Sequence, residues 1–183
     1  MDKNNADTSL EDKKALLLAQ LPLARGRRFV DIWLDFNTLI DEGMLYRLEI
    51  CPVDSMKIRE KICLAIIARL KELEPHKNLI KASTRHTLCP HYGKGHLKAI
   101  WNACDAIWYW AGDTSTDFNH YTKRSLLAII IAKTYTQWLR TTQTNWPELE
   151  RSTEKLIDHV MQIPRLKSRV AGFFSSLFKP TDK

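Results

Sequence analysis

The sequence predicts an all-α helical bundle, and three observations lead to that class. Apolar residues recur every three or four positions through most of the chain, which is the period of an amphipathic helix. No segment shows the alternation of apolar and polar residues that is typical of strands. The 183 residues are 44% hydrophobic, which suits one folded domain with a sizeable core.

The first elements are separated by prolines. We expect residues 1–14 to form a disordered polar tail, and the apolar part of EDKKALLLAQL to form a short helix that ends near Pro22. A longer helix is predicted over residues 27–50. Its apolar positions are Phe29, Ile32, Trp33, Phe36, Leu39, Ile40 and Met44.

The segment SMKIREKICLAIIARLKEL predicts the next helix. Asp54 or Ser55 can cap its first N–H groups, and Pro75 closes it. A weaker helix is expected over residues 76–87, and CPHYGKG is interpreted as a loop because of its proline and glycines. The apolar stripe of the SMKIREKI helix is Ile58, Ile62, Ile66, Leu70 and Leu73.

Three helices are predicted in the second half of the chain. The first covers residues 96–110 and ends at Gly112, a good C-cap position. The second covers about residues 117–140. The third is NWPELERSTEKLIDHVMQI, with Asn145 near its N-cap and Pro147 in its first turn. We therefore expect a helical domain over residues 15–163.

The most distinctive stretch is AGDTSTDFNHYTKR, between the first two of these helices. Its small polar residues can accept hydrogen bonds from the first N–H groups of the following helix. They are Asp113, Ser115, Thr116 and Asp117. Capping explains these residue types, but it leaves the aromatic residues after them to be explained. They are Phe118, His120 and Tyr121.

This stretch also carries a family resemblance. CDAIW followed by AGDTSTDFNHYTKR resembles the lipid-binding accessory family of ubiquinone biosynthesis, the ninth Coq protein. Further matches are SMKIREKI, EPHK, an IW pair and IDHVMQIPRLK, in the same order along the chain. The resemblance covers about residues 56–167.

The resemblance implies a fold like the ligand-binding half of TetR regulators. It implies a homodimer that binds an isoprenoid quinone precursor and presents it to the di-iron demethoxyubiquinone hydroxylase. It also implies a protein that is not an enzyme and needs no cofactor. The surface expected to meet the hydroxylase is Asp117, Phe118, His120, Tyr121 and Arg124.

We call the AGDTSTDFNHYTKR segment the joint. The apolar stripes on the two helices that flank it predict the lipid pocket. Two of its tryptophans stand seven residues apart and so share a helix face, which is compatible with either a core or a pocket. At helical spacing a core position is the commoner outcome, and the family resemblance makes a pocket about equally favoured. The expected lining is Trp101, Trp108, Leu127, Ile131 and Trp138.

The chain departs from the family pattern in two places. Only about 26 residues precede Arg27, which is too few for a complete helix-turn-helix head, so we expect no DNA binding. A TetR-type transcriptional regulator that responds to a hydrophobic ligand is the alternative function. The second departure is His120, where mitochondrial members carry tryptophan.

No arrangement of side chains predicts catalysis or metal binding. His86, Cys89, His91 and His96 stand close together in HTLCPHYGKGH, but their spacing matches no common zinc site. The four cysteines show no CxxC pattern and are interpreted as reduced thiols. Asp105 lies on an apolar helix, where it is either an exposed acid or the partner of Arg124 in a buried ion pair.

The net charge of +7 lies mostly in a tail over residues 164–183, which carries five Lys or Arg and one Asp. This distribution favours an anionic surface over nucleic acid as a partner. The tail predicts an amphipathic helix that lies in a membrane interface or docks on the protein. Its apolar face is Val170, Phe173, Phe174, Leu177 and Phe178. We expect a cytoplasmic protein held peripherally at a bacterial inner membrane, or on the matrix side of the mitochondrial one.

Overall fold

Every regular element that the computed structural model describes is helical, which confirms the predicted all-α class. The described residues are 29–52, 55–84, 90–113 and 118–161. They form α1 Phe29–Glu49, α2 Ile58–Leu73, α3 Lys77–Thr84, α4 Pro90–Trp110, α5 Phe118–Arg140 and α6 Trp146–Met161. The predicted N-terminal tail, the helix in EDKKALLLAQL and the basic tail lie outside these residues.

The predicted helix boundaries agree with α1, α5 and α6 to within about two residues, and with the end of α2. Helix α2 begins at Ile58, three residues after the start of the predicted segment, so Ser55 does not cap it. The weak helix predicted over residues 76–87 is α3, which follows a single 3-10 turn at Glu74–His76. Pro75 lies in that turn. Because proline has no N–H to continue the hydrogen bonds of an α-helix, it separates α2 from α3.

The described helices pack as two compact units. The first unit contains α1, the part of α2 from Ala68 onward, α3, and α4 as far as Ala103. Its interior is built on the predicted apolar stripe of α1, and all of the following side chains are buried. They are Ile32, Trp33, Phe36, Ile40, Met44 and Leu48.

A buried polar cluster crosses the first unit. The Nε atom of Arg69 donates to Oδ1 of Asp41 at 2.6 Å, and its Nη2 atom donates to Oδ1 of Asn37 at 2.9 Å. Burial raises the pKa of the Asp41 carboxyl, against the opposing effect of the Arg69 charge. The cluster links α1 to α2 in one arrangement, because each buried polar group finds its hydrogen-bond partner in the others.

The prediction of a loop at CPHYGKG was wrong for residues 90–95, which belong to α4. Pro90 is the first residue of the helix, where its missing N–H costs nothing. Gly95 is a close-packing glycine, because an added Cβ would lie 3.0 Å from Cγ1 of Val30. The next residue, His96, is buried with its ring centroid 4.6 Å from that of Trp33. Packing inside the first unit therefore overrides the loop tendency of the glycines.

The second unit contains Pro52–Ile67, the end of α4 from Cys104, α5 and α6. Helices α5 and α6 are joined by a short connection, and hydroxyl oxygens of Thr134 and Thr153 meet at 3.5 Å between them. The predicted N-cap is confirmed, since Oδ1 of Asn145 accepts the backbone N–H of Glu148 at 3.4 Å.

Cys63 lies buried in the second unit, where its Sγ atom is 3.7 Å from the carbonyl oxygen of Glu150. Desolvation raises the pKa of the thiol to about 12, and the charges of Glu154 and Glu150 add to the effect. The group is therefore an uncharged thiol at neutral pH, which argues against a role as a nucleophile.

We expect this thiol to make the folding free energy depend on alkaline pH. The unfolded thiol loses its proton above its ordinary pKa of 9.0, whereas the folded one keeps it to about 12. Because the folded state then binds more protons, stability is complete below pH 9 and falls as the pH rises through this window. Cys63→Ala should lose less melting temperature between pH 8 and pH 10.5 than the wild type does. An equal loss of melting temperature in the wild type and in Cys63→Ala over this pH range would contradict the assignment.

Candidate functional site

The second unit contains a pocket of about 380 Å³. Its walls come from α2, the end of α4, α5 and α6, and they are mainly apolar. This volume is at the lower end of the roughly 300–1,000 Å³ that small-molecule sites occupy. The lining residues are Ile58, Ile62, Trp108, Gly112, Asp113, Thr122, Lys123, Leu126, Leu127, Ile130 and Ile157.

Helix α5 supplies the longest wall of the pocket. Its lining residues follow two rows four positions apart, Thr122, Leu126 and Ile130 in one and Lys123 and Leu127 in the other. Residues four apart lie on the same face of a helix, so a single face of α5 borders the pocket. The polar residues come first along this face and the apolar ones follow.

The end of α4 forms a tight turn at the pocket. Gly112 has a φ of +91°, which side chains rarely tolerate, so the predicted glycine C-cap is confirmed. The N–H of Asp113 donates to the carbonyl of Trp108 at 2.9 Å, and that of Gly112 donates to the carbonyl of Tyr109 at 3.1 Å. This pair of bonds ends the helix and turns the chain so that Asp113 reaches the pocket.

Charged side chains meet at this end of the pocket. The Asp113 carboxylate is only 5% exposed, and its Oδ1 accepts a hydrogen bond from Nζ of Lys123 at 2.5 Å. Its other oxygen lies 3.5 Å from Nη1 of Arg124. Arg124 also donates from Nε to Asp105 and from Nη1 to the carbonyl oxygen of His120 at 3.3 Å. Two cations and two carboxylates therefore balance within one network.

The sequence left Asp105 as an exposed acid or as the partner of Arg124 in a buried pair. The ion pair is present, but the two side chains differ in burial: that of Arg124 is 7% exposed and that of Asp105 is 45% exposed. The arginine is held between a half-exposed carboxylate and the buried one of Asp113. Its main effect is to fix the end of α4 against the first turns of α5.

Trp108 lines the pocket and lies beside a cation. Nζ of Lys123 lies 5.4 Å from the centroid of its ring, a cation–π distance. The residue is 6% exposed, and its buried indole N–H has no hydrogen-bond acceptor among the described residues. A buried donor without an acceptor is costly, and each such case calls for an explanation.

The residues predicted to bind lipid have different positions. Trp108 and Leu127 line the pocket. Ile131 and Trp138 are buried in the second unit but are not among the lining residues. Trp101 belongs to the first unit and is partly exposed.

Four isoleucines and one leucine of the pocket were not identified from the sequence. Ile58 and Ile62 come from α2, Leu126 and Ile130 come from α5, and Ile157 comes from α6. Their only signal is membership of an amphipathic stripe, which does not separate a core position from a pocket wall. The polar lining residues Asp113 and Lys123 were interpreted as parts of the joint.

The residues predicted to bind a partner also differ in position. Asp117 and the side chain of Phe118 lie outside the described residues. His120 is partly exposed and Tyr121 is 42% exposed, with their ring centroids 5.2 Å apart in an edge-to-face arrangement. Arg124 is buried, so it supports this surface from beneath through its bond to the carbonyl of His120.

The described side chains contain no group of three or more His, Cys, Asp or Glu residues that could hold a metal ion. Of the HTLCPHYGKGH residues, His86, Cys89 and the side chain of His91 lie outside the described part, and His96 packs on Trp33.

No helix within the described ranges combines the length and the apolar character that crossing a membrane requires.

Comparison with known proteins finds relatives of this part of the chain. Residues 94–164 match the model of the family COQ9. The chain is 27% identical over 106 residues to "Ubiquinone biosynthesis protein COQ9, mitochondrial" of Homo sapiens, an alignment that covers 58% of this chain and 33% of that protein. The protein of the same name from Bos taurus is 28% identical over 106 residues, with 58% and 33% covered. The one from Rattus norvegicus is 27% identical, with 58% and 34% covered.

The alignments span about a third of the length of these curated relatives. The region matched by the family model includes most of α4 and all of α5 and α6, and it supplies nine of the pocket-lining residues. The predicted resemblance is therefore confirmed: residues 94–164 of this chain are similar to the COQ9 family.

Proposed function

We propose that the chain acts in ubiquinone biosynthesis as a non-enzymatic accessory that binds an isoprenoid quinone precursor. The observation that carries this proposal is the apolar pocket with one charged end, which lies mostly within the region of family similarity. The names of the relatives support the pathway. The apolar walls support a lipid as the ligand.

The chemistry of the ligand explains why an accessory would be needed. Each CH₂ group that leaves water for an apolar site contributes about 0.8 kcal/mol, so a polyprenyl chain partitions strongly into the bilayer. A pocket of about 380 Å³ suits a ring and a short stretch of chain. The remainder of a long polyprenyl chain would extend outside the pocket. The protein would thus hold the head group and present it to an enzyme.

The surface around His120 and Tyr121 is our proposed contact for the di-iron demethoxyubiquinone hydroxylase. Both residues lie in the first turns of α5, whose next residues Thr122 and Lys123 line the pocket. A partner bound here would stand beside the charged end of the pocket. A head group held at that end would then need to travel only a short distance.

Tyr121→Ala should weaken binding to the hydroxylase. Exposed aromatic residues at interfaces often contribute more than about 2 kcal/mol, which is roughly a thirtyfold change in Kd. The same change at Tyr109, which is 83% exposed on α4, is the matched control and should have little effect. Biolayer interferometry with the purified hydroxylase measures both. Normal affinity of the Tyr121→Ala variant would remove this surface from the proposal.

The basic tail over residues 164–183 is our proposed membrane contact. It lies outside the described residues, so the argument rests on its sequence. Its apolar face, spaced as on an amphipathic helix, is flanked by Arg165, Lys167, Arg169 and Lys179. Each basic residue near an anionic leaflet contributes about 1 kcal/mol. Association should therefore be reversible and should weaken with salt.

A lipid-transfer assay tests the proposed function. Donor liposomes carry a fluorescent prenylated quinone, and acceptor liposomes carry a quencher. The full chain should accelerate transfer in proportion to its concentration. An equal concentration of heat-denatured protein is the control, and transfer no faster than in that control would exclude the proposed presentation role.

A further inference from the structure

We propose that the protein's own basic tail, residues 164–183, covers an open edge of the pocket in water, and that an anionic membrane draws the tail away. The apolar face of the tail then has two alternative contacts, one on the protein and one in the bilayer. The inference rests on the proposed function, because it assigns a regulator to the proposed lipid pocket. Its consequence is that a ligand enters and leaves mainly at the membrane surface.

The first argument is an apolar edge of the pocket that is open to water. Ile58, the first residue of α2, lines the pocket and is 41% exposed. Ile62 and Ile157 line the same pocket and are buried, at 4% and 2% exposure. A covering apolar side chain would remove Ile58 from water, which is favourable in proportion to the area buried.

The second argument is the place where the tail leaves the described fold. Helix α6 ends at Met161, only four residues after the pocket-lining Ile157. Eight residues separate Met161 from Val170, the first residue of the apolar face, and this stretch spans up to about 30 Å when extended. The pocket wall on α5, from Thr122 to Ile130, measures about 12 Å. The apolar face of the tail is therefore within reach of the pocket.

The third argument is the negative charge beside the open edge. On α6, Glu150, Glu154 and Asp158 are all exposed and follow one another at intervals of four residues, so they form one acidic row. Asp158 pairs with Arg59 at 2.7 Å, but both side chains are more than half exposed and water screens the pair. The row therefore presents negative charge that a basic segment can meet.

The acidic row and the pocket lie side by side. A polar cleft shares Ile157 with the pocket and includes two members of the row, Glu154 and Asp158. Its other lining residues are Lys57, Arg59 and Glu60, which flank or follow the exposed Ile58. An apolar edge and an acidic surface thus meet at the start of α2 and the end of α6.

The tail has its basic and apolar parts in the order that this surface requires. Its first basic residues, Arg165, Lys167 and Arg169, come within eight positions of the end of α6, where the acidic row lies. Phe173 and Phe174 come next in the sequence and would meet the apolar edge of the pocket. Charge and apolarity are therefore complementary over the same short segment.

A weak contact is sufficient, because the tail is tethered to the fold. Groups joined by a short linker meet at an effective concentration in the millimolar range. An anionic bilayer competes with this contact for the same side chains, since it attracts the basic residues and buries the apolar ones. The pocket is thus covered in water and uncovered at the membrane.

A photocrosslinker in the tail of the full chain tests the contact directly. In Phe174→p-benzoylphenylalanine, illumination in water should join the tail to peptides that contain Ile58 or Ile157 within one molecule. Phosphatidylglycerol vesicles should abolish these cross-links, and phosphatidylcholine vesicles should reduce them less. Mass spectrometry identifies the joined peptides, and a mixture of isotope-labelled and unlabelled protein separates bonds within one molecule from bonds between two. Cross-links only to other peptides or to another copy of the chain, or cross-links unchanged by phosphatidylglycerol, would overturn the inference.

A second measurement is the rate at which bound geranyl-substituted hydroquinone leaves the full chain for phosphatidylcholine vesicles. Glu154→Lys reverses one charge of the acidic row and should accelerate release by about two- to fivefold, the effect of one exposed ion pair. Glu49→Lys is the matched control, since it makes the same change at an exposed position of α1, and it should keep the wild-type rate.

The two measurements separate the inference from the proposed function. An unchanged release rate in Glu154→Lys, with the probe still bound, would overturn the covering role of the tail and leave the proposed lipid pocket intact. If the wild type bound no probe, the proposed function would fail, and the cross-links would still decide whether the tail covers the pocket.

Discussion

Arg124→Met will lower the free energy of unfolding by about 1–3 kcal/mol, the usual cost of removing a charged group from buried hydrogen bonds. Methionine keeps most of the apolar stem but removes the guanidinium that joins Asp105, Asp113 and the carbonyl of His120. The Asp113 carboxylate is only 5% exposed, so it keeps Lys123 but loses the more buried of its two cations. Urea denaturation followed by circular dichroism measures the change.

Lys123→Met is the matched control for this result. Its side chain is 29% exposed, and its removal leaves Asp113 with Arg124 as a partner. We expect a loss of about 1 kcal/mol or less, since water screens a partly exposed pair. Asp113→Asn should recover part of the loss when it is combined with Arg124→Met, because it removes a buried charge that has lost one of its two cations. Equal losses in the two single variants would show that Arg124 does not hold the end of α4.

Ile130→Trp will weaken binding of geranyl-substituted hydroquinone by at least about tenfold, because the indole will occupy space that the ligand needs. Ile130 is 3% exposed and lines the pocket two turns beyond its charged end. Overpacking costs typically about 1–3 kcal/mol, so the melting temperature must be measured beside the Kd.

The neighbouring residue provides the control for pocket filling. Ile129 lies on the adjacent face of α5, along an open surface groove with Ala132, Lys133 and Thr136. Ile129→Trp adds the same indole to the same helix, but not inside the pocket. It should bind the probe with nearly wild-type affinity. If both variants bound it normally, the ligand would not occupy this pocket.

The helices could be predicted because each depends on a local pattern. The three- and four-residue spacing identified α1, α2, α5 and α6, and the cap at Asn145 followed from its own neighbourhood. Two glycines show where local reasoning stops. Gly112 was placed correctly because it ends a periodic run, whereas Gly95 looked like a helix breaker. A side chain at this position would lie too close to Val30, which is 65 positions earlier in the sequence.

The pocket was only partly predictable, because four helices assemble it and α2 is distant in sequence from the other three. Periodicity tells which side chains face inward, but not whether they meet other side chains or an opening. Trp108 and Trp138 are both buried on amphipathic helices, and only Trp108 lines the pocket. The sequence also could not show that the indole N–H of Trp108 has no acceptor among the described residues, because that requires the positions of all nearby acceptors.

The protein itself offers the most direct measurement of the central claim, that this pocket holds an isoprenoid ligand. Organic extracts of the purified wild type, Ile129→Trp and Ile130→Trp proteins, expressed in cells that make ubiquinone, are compared by mass spectrometry. We predict an isoprenoid quinone or its precursor in the wild type and in Ile129→Trp, and a strongly reduced amount in folded Ile130→Trp. Absence of isoprenoid from the wild-type extract, or equal amounts in all three proteins, would contradict the claim.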